Sequence, residues 1–578
     1  MATDSDHDAP APAAPAGKRD KAEKRDKAGK RQKDRGAGSR GSTARAGTAT
    51  PAGERGTAAG RGPENRTSAP SRGRTTWRRV GATLSGALVL ALAGGVAVGG
   101  GLLERPRAAS SDPLVVAVPP TQVALACPGP GEAPDGGATD SELGGASVTT
   151  ADVRALVLPR GDEEPRAVLG PLAEGGGETL TGTGDAVVAT LAQPEGSSVL
   201  RAEPSASAAA FAAAAGASRA DTGDLRGLAA ASCPPGATSS WLVGGTTELG
   251  ASAVLALRNV GSTPATVSLR AWDAVGEVAV GGTSILVPPG QEVRQALEAS
   301  VPDAERLAVL VTATGGQVSA TVQTSQLTGL TPAGTDVVAP TAMPALEQLV
   351  PGVVLTTTTV DESDPSLVRI LNPGDEPTTV RLELLGSDGT TALTDDAGLV
   401  VEAGAVADVS LAGAPAGTFT VRAVADDPVV AAAMLVRRGE PAPEDPDVPV
   451  MDRAWLPALP PVTSAALALP GVGSLVDRGV LVIGNGEADT AEVMVTALNG
   501  GGEVLGTQEV TVPGSGSAAL EVTSLGSGVS GVVLESDVPV SSAAVLTFAD
   551  VLGELIAVVG AQADPQVERS AAVTISGS

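Results

Sequence analysis

Apolar and charged residues alternate along much of this chain, most clearly in Val380-Arg381-Leu382-Glu383-Leu384. A period of two marks a strand with one face buried and the other in water. The pattern recurs at a fixed spacing: Asn259, Asn372 and Asn485 stand 113 residues apart both times. Four and two places before them lie Leu255 and Leu257, Val368 and Ile370, Leu481 and Ile483. Eight, ten and twelve places after lie Val267, Leu269 and Ala271, then Val380, Leu382 and Leu384, then Val493, Val495 and Ala497. A glycine follows at the same offset in each, Gly276, Gly389 and Gly502. This is a tandem repeat. Between the two strands of each copy lie turn residues, as in Asn372-Pro373-Gly374-Asp375. The asparagines are accounted for by the turn, because Asn bonds its own backbone in a loop after a strand.

Short strands with turns every 8 to 12 residues predict antiparallel sandwiches of immunoglobulin-like type. Three repeats are expected, at 233–340, 341–440 and 467–565, with a linker at 441–466 and a tail at 566–578. Residues 113–232 predict a membrane-proximal β-rich domain, less regular than the repeats, with a short helix in the Ala-rich run around Phe211. The segment from Ala342 to Arg438 is expected to fold as a sandwich by itself. The fold class is therefore mostly β, a stack of sandwiches.

Residues 80–103 break the pattern, being apolar and uncharged. Twenty-four residues of helix make about 36 Å, enough to cross a hydrocarbon core of about 30 Å. Of 39 basic and 66 acidic residues, 19 and 9 precede Val80, leaving a body with 20 and 57. Basic flanks stay in the cytoplasm, so the expected topology is single-pass, with a cytoplasmic N-terminus and an extracytoplasmic body. Ala108-Ala109-Ser110 would suit signal cleavage, but the long apolar run and long preceding tail favour a retained anchor. Residues 1–79 hold all six lysines and no apolar cluster, and predict a disordered tail.

The two cysteines, Cys127 and Cys233, lie on the exported side, each followed by proline. A disulfide is expected there. The single span, the Cys-Pro pair, Trp241-Leu242-Val243-Gly244-Gly245 and Leu371-Asn372-Pro373-Gly374 together resemble an uncharacterised actinobacterial envelope family, classed as a domain of unknown function. That resemblance covers roughly residues 110 to 565 and lends no catalytic residue.

Candidate chemistry is sparse. The sole histidine is His7, in the tail, and the body has no lysine or tyrosine, which removes His-based triads, imidazole metal sites and a P-loop. Only carboxylates remain. Asp361-Glu362-Ser363-Asp364, Asp395-Asp396 and Asp426-Asp427 are the candidates for a paired-carboxylate glycosidase, and the first for Ca²⁺. Each sits in turn-like sequence where Asp is expected anyway. Trp272 is expected to face outward, with Trp241 and Trp455 at domain edges. No catalytic residue, metal or cofactor is assigned. The expected role is a non-catalytic envelope scaffold or interaction protein, with an accessory subunit of an envelope-polymer enzyme as the alternative. A body of net charge −37 disfavours nucleic acid and anionic wall polymers, leaving envelope proteins or neutral glycans as partners.

Overall fold

The computed structural model describes residues 114–117, 120–132, 149–565 and 570–573, apart from positions 162, 174–175, 183, 206–207, 282–283 and 444. The basic tail and the 80–103 segment lie outside the described residues, as does most of 566–578. Among the described residues no helix is long and apolar enough to cross a membrane. The described chain is mostly β.

The alternating segments form strands, and the repeat built around Asn372 shows how they assemble. Ala345–Leu355 and Thr378–Gly386 flank the first half of one long strand, Gly417–Pro441. The second half of that strand lies between Leu367–Leu371 and Pro449–Pro457 in the facing sheet. The strand crosses between sheets at Asp426, Asp427 and Pro428, where it is exposed. Val380, Leu382, Val421, Ile370 and Ala433 meet in the core between the sheets. Leu367–Leu371 also pairs with Val406–Ser410, so two antiparallel sheets face each other as a sandwich. The first strand, Ala345–Leu355, lies beside the long strand rather than beside Leu367–Leu371.

The same order appears four times, not three. Around Asn259, Ser239–Val243, Ala308–Thr314, Ala265–Asp273 and Gly276–Val278 face Glu292–Ala296, Ala251–Arg258, Ser319–Thr328 and Thr331–Val338. Around Asn485 the long two-sheet strand is Val529–Asp550. The region expected to be irregular has the order as well. Val123–Cys127, Ser198–Ala202, Arg166–Pro171 and Glu178–Thr181 face Val187–Ala192, Thr149–Leu158, Phe211–Ala220 and Gly227–Ser232. It is the first of four modules, and the three repeats are the second, third and fourth.

The short helix expected around Phe211 is a strand. Alanine is the best helix former in isolation, but here alternate residues serve two cores. Ala210, Ala212 and Ala214 pack inside the first module, while Phe211, Ala213, Ala215 and Ala217 pack against the fourth. A strand buried on both faces shows no polar alternation, which hid its period.

Each module ends in an inner strand: β1 is Gly227–Ser232, β2 Thr331–Val338, β3 Pro449–Pro457 and β4 Gly553–Gly560. β1 packs against β2, β2 against β3, β3 against β4 and β4 against β1. The modules therefore close into a propeller-like ring rather than a linear stack. The segment 441–466, read from sequence as a linker, contains β3 and the first strand of the fourth module, Val462–Ala468. A fragment ending at Arg438 lacks β3, so the third module is complete only to about Pro457.

Cys127 and Cys233 are bonded to each other and fully buried, 106 residues apart. The bridge ties the first strand of the first module to the residue directly after β1.

Candidate functional site

The inner strands all run the same way, so their ends define two ends of one axis. Where they begin, the hairpin turns of all four modules surround a cavity of about 530 Å³. Asp221 and Asp224 come from the turn before β1, Leu330 from the turn before β2, Asp445 from the turn before β3 and Leu552 from the turn before β4. Where the strands end, a smaller apolar cavity of about 160 Å³ is walled by Pro235, Val337, Pro340, Trp455, Pro457 and Val558. We call the larger opening the mouth.

Two carboxylates lie between these ends, Asp336 in β2 and Asp452 in β3, each 1 % exposed. Asp452 Oδ2 accepts hydrogen bonds from the backbone N–H of Leu228 in β1, at 3.2 Å, and of Ile556 in β4, at 2.8 Å. Asp336 Oδ2 accepts from the N–H of Trp455 in β3. Two side chains thus link all four inner strands. Close approach requires glycine: a Cβ on Gly227 would come within 2.6 Å of Asp452 Oδ1, and one on Gly334, at φ +112°, within 2.7 Å of the Arg453 nitrogen. Burial pushes the Asp336 carboxyl well above the usual range, with the nearby Asp452 charge adding to it. Burial also raises Asp452, to about 7, against the backbone donors of Ile556, Leu228 and Arg453 and the charge of Arg226. The Oδ1 atom of each has no hydrogen-bond partner among the described residues. Both groups are closed off from solvent and tie the inner strands together. The sequence signal was a lone Asp inside an apolar strand, as in Val450-Met451-Asp452-Arg453-Ala454-Trp455.

Arginines seal each boundary between modules. Arg258 donates to Ser197 between the first and second modules, at 2.6 Å. Arg369 donates to the Gly245 carbonyl between the second and third, at 2.6 Å, while its guanidinium lies 4.9 Å from the Trp455 ring. Arg422 bonds Gly486 O and Ser515 Oγ between the third and fourth. Arg226 pairs with Asp550 at 2.6 Å between the first and fourth. Guanidinium suits such places because it keeps several directed donors while its flat faces pack. Burial lowers the Arg258 pKa, with Glu292 opposing.

The three asparagines are fully buried clips. Asn372 Nδ2 donates to Glu376 O at 2.8 Å and Val401 O at 3.1 Å, and its Oδ1 accepts from Gly374 N–H at 2.9 Å. Asn259 does the same with Thr263, Val287 and Gly261, and Asn485 with Asp489, Val512 and Glu487. Each closes its own loop and reaches a neighbouring strand; the three lie in separate modules and form no common site.

The carboxylate clusters are distributed as follows. Glu362 pairs with Arg438 at 3.1 Å and Asp364 with Arg453 at 2.6 Å. Asp395, Asp396, Asp426 and Asp427 are exposed, with Asp426 3.8 Å from Arg381. No group of three or more metal-ligating side chains is found among the described residues. Trp272 does not face solvent. It points away from its own sandwich but is 1 % exposed, its ring 5.2 Å from that of Trp241, in a cluster with Leu371, Val406 and Val430 of the third module.

No curated protein matches the chain. Residues 188–523, more than half of the sequence, match DUF5719, a family of unknown function, and the protein belongs to that family.

Proposed function

We propose that this protein is a non-catalytic interaction module of the bacterial cell envelope, held by the 80–103 segment with its N-terminus in the cytoplasm and the ring outside. The observation that carries the reading is the convergence of four hairpin turns on one mouth, a composite surface that a chain of separate sandwiches would not build. The modules are taken as variants of the immunoglobulin-like sandwich, because Leu367–Leu371 pairs with Val406–Ser410 and Thr378–Gly386 with the long strand, as adjacent strands do in the two sheets of such a sandwich. Charge asymmetry across the span supports the topology. The partner is an envelope protein, with a neutral glycan as the other outcome of the test.

A photo-crosslinking residue placed at exposed Leu330, in membranes of cells making the full-length protein, should yield a discrete adduct. The same probe at Val400, on an outer strand, should not. Equal labelling at both positions overturns the mouth as the docking surface. A glycosyltransferase or synthase recovered in the adduct would favour an accessory role in polymer synthesis. A reporter active only outside the cytoplasm, fused after Ser578, should be active; inactivity overturns the topology.

A further inference from the structure

Resting on that reading, we infer that the mouth takes a basic peptide segment of a partner protein, an arginine or lysine side chain entering along the axis. The cavity wall is mixed: apolar side chains, Leu330, Pro332, Val450 and Leu552 among them, stand beside the carboxylates of Asp221, Asp224 and Asp445. A cationic head on an aliphatic stem matches both features, because the stem lies against apolar wall while the charge meets a carboxylate.

Asp221 is already paired with Arg219 at 2.8 Å, whereas Asp224 and Asp445 have no ion pair among the described residues, and Arg226, the cation among the described lining residues, does not neutralise them. Arg226 is 3 % exposed and pairs at 2.6 Å with Asp550, which is itself nearly buried. Its Nε donor has no hydrogen-bond partner among the described residues. A peptide brings apolar side chains beside its cation and so meets the Leu330 and Leu552 wall and the carboxylates together, which a simple amine does not. Asp445 is held in place by the Thr331 hydroxyl, which donates to Oδ2 at 3.1 Å. The cavity volume of about 530 Å³ is in the range of sites for a few side chains.

The test uses the full-length protein in mild detergent and a fluorescein-labelled peptide of alternating arginine and leucine, read by anisotropy. A glutamate-leucine peptide serves as the reverse-charge probe. The basic peptide should bind and the acidic one should not. Asp221→Asn, Asp224→Asn and Asp445→Asn together should weaken binding about ten-fold or more. Asp395→Asn, Asp396→Asn and Asp427→Asn, which remove the same charge away from the mouth, should change it by about two-fold at most. Equal loss in the two triple variants would reduce the effect to general attraction by an acidic body and overturn the inference. No binding of the basic peptide, with the Leu330 adduct still formed, overturns the peptide and leaves the docking surface. Loss of the adduct instead removes the docking reading itself.

Discussion

The first and third modules share one strand order and reach it through different sequences. The third shows polar alternation in its strands, an asparagine clip at Asn372 and a core of Val, Leu and Ile. The first has no such asparagine, runs alanine through its central strand and is closed by a disulfide between Cys127 and Cys233. The difference follows from position. Phe211–Ala220 is covered on both faces, by its own module and by the fourth, so it carries small apolar side chains throughout. Thr378–Gly386 turns Arg381 to solvent on its outer face, so its polar positions survive. The third module ties its loop to its sheets by the Asn372 hydrogen bonds, and the first module joins its first strand to the end of its last by the Cys127–Cys233 bridge.

The largest effect is expected where the first module is held to the others, at Asp452. Its proton is bound with a pKa of about 7 in the ring and near 4 in an unfolded chain. This contribution to stability is therefore full below about pH 4, is lost as the pH rises toward 7, and is flat above, a change of about 4 kcal/mol. Asp452→Asn should flatten that part of the pH dependence of chemical unfolding, and an unchanged slope would assign the titration elsewhere. Next come the devices specific to each module. Cys127→Ser with Cys233→Ser should cost about 3 kcal/mol, and Leu382→Ala in the third module a similar amount, about 2 to 5. If the double serine variant unfolds at the wild-type midpoint, the bridge is not what holds the first and last strands of the first module together.

A smaller effect is expected from Asn372→Ala, about 2 kcal/mol, since it strips partners from Glu376 O, Val401 O and Gly374 N–H. The same change at Asn259 and Asn485 should match it to within about 1 kcal/mol if the clips are equivalent. The smallest is Glu383→Ala, at about 1 kcal/mol. By alternation alone Glu383 is a solvent-facing residue of no consequence, but its carboxylate orients Arg422, which bonds Gly486 and Ser515 of the fourth module. Thermal unfolding of Glu383→Ala and Glu383→Gln side by side would separate loss of the charge from loss of the contact.

Features written in short-range pattern were legible in the amino-acid order. Period-two alternation located Val380, Leu382 and Leu384 in a core, where they are fully buried. The 113-residue spacing located the equivalent strands around Asn259 and Asn485, and two cysteines allowed only one bridge. These are legible because each depends on a residue and its near neighbours, or on repetition of such a unit. The ring was not legible in that way. The first module was hidden because burial on two faces erases polar alternation, and β3 was mistaken for linker because Pro449 and the acidic turn before it read as a joint. The mouth joins Asp221, Leu330, Asp445 and Leu552, and the axis joins Asp336 to Asp452. Those residues are 100 or more apart along the chain within each module-to-module step, and no local pattern encodes the closure that brings them together. Closure is a property of how four similar modules bury the faces that none of them can bury alone.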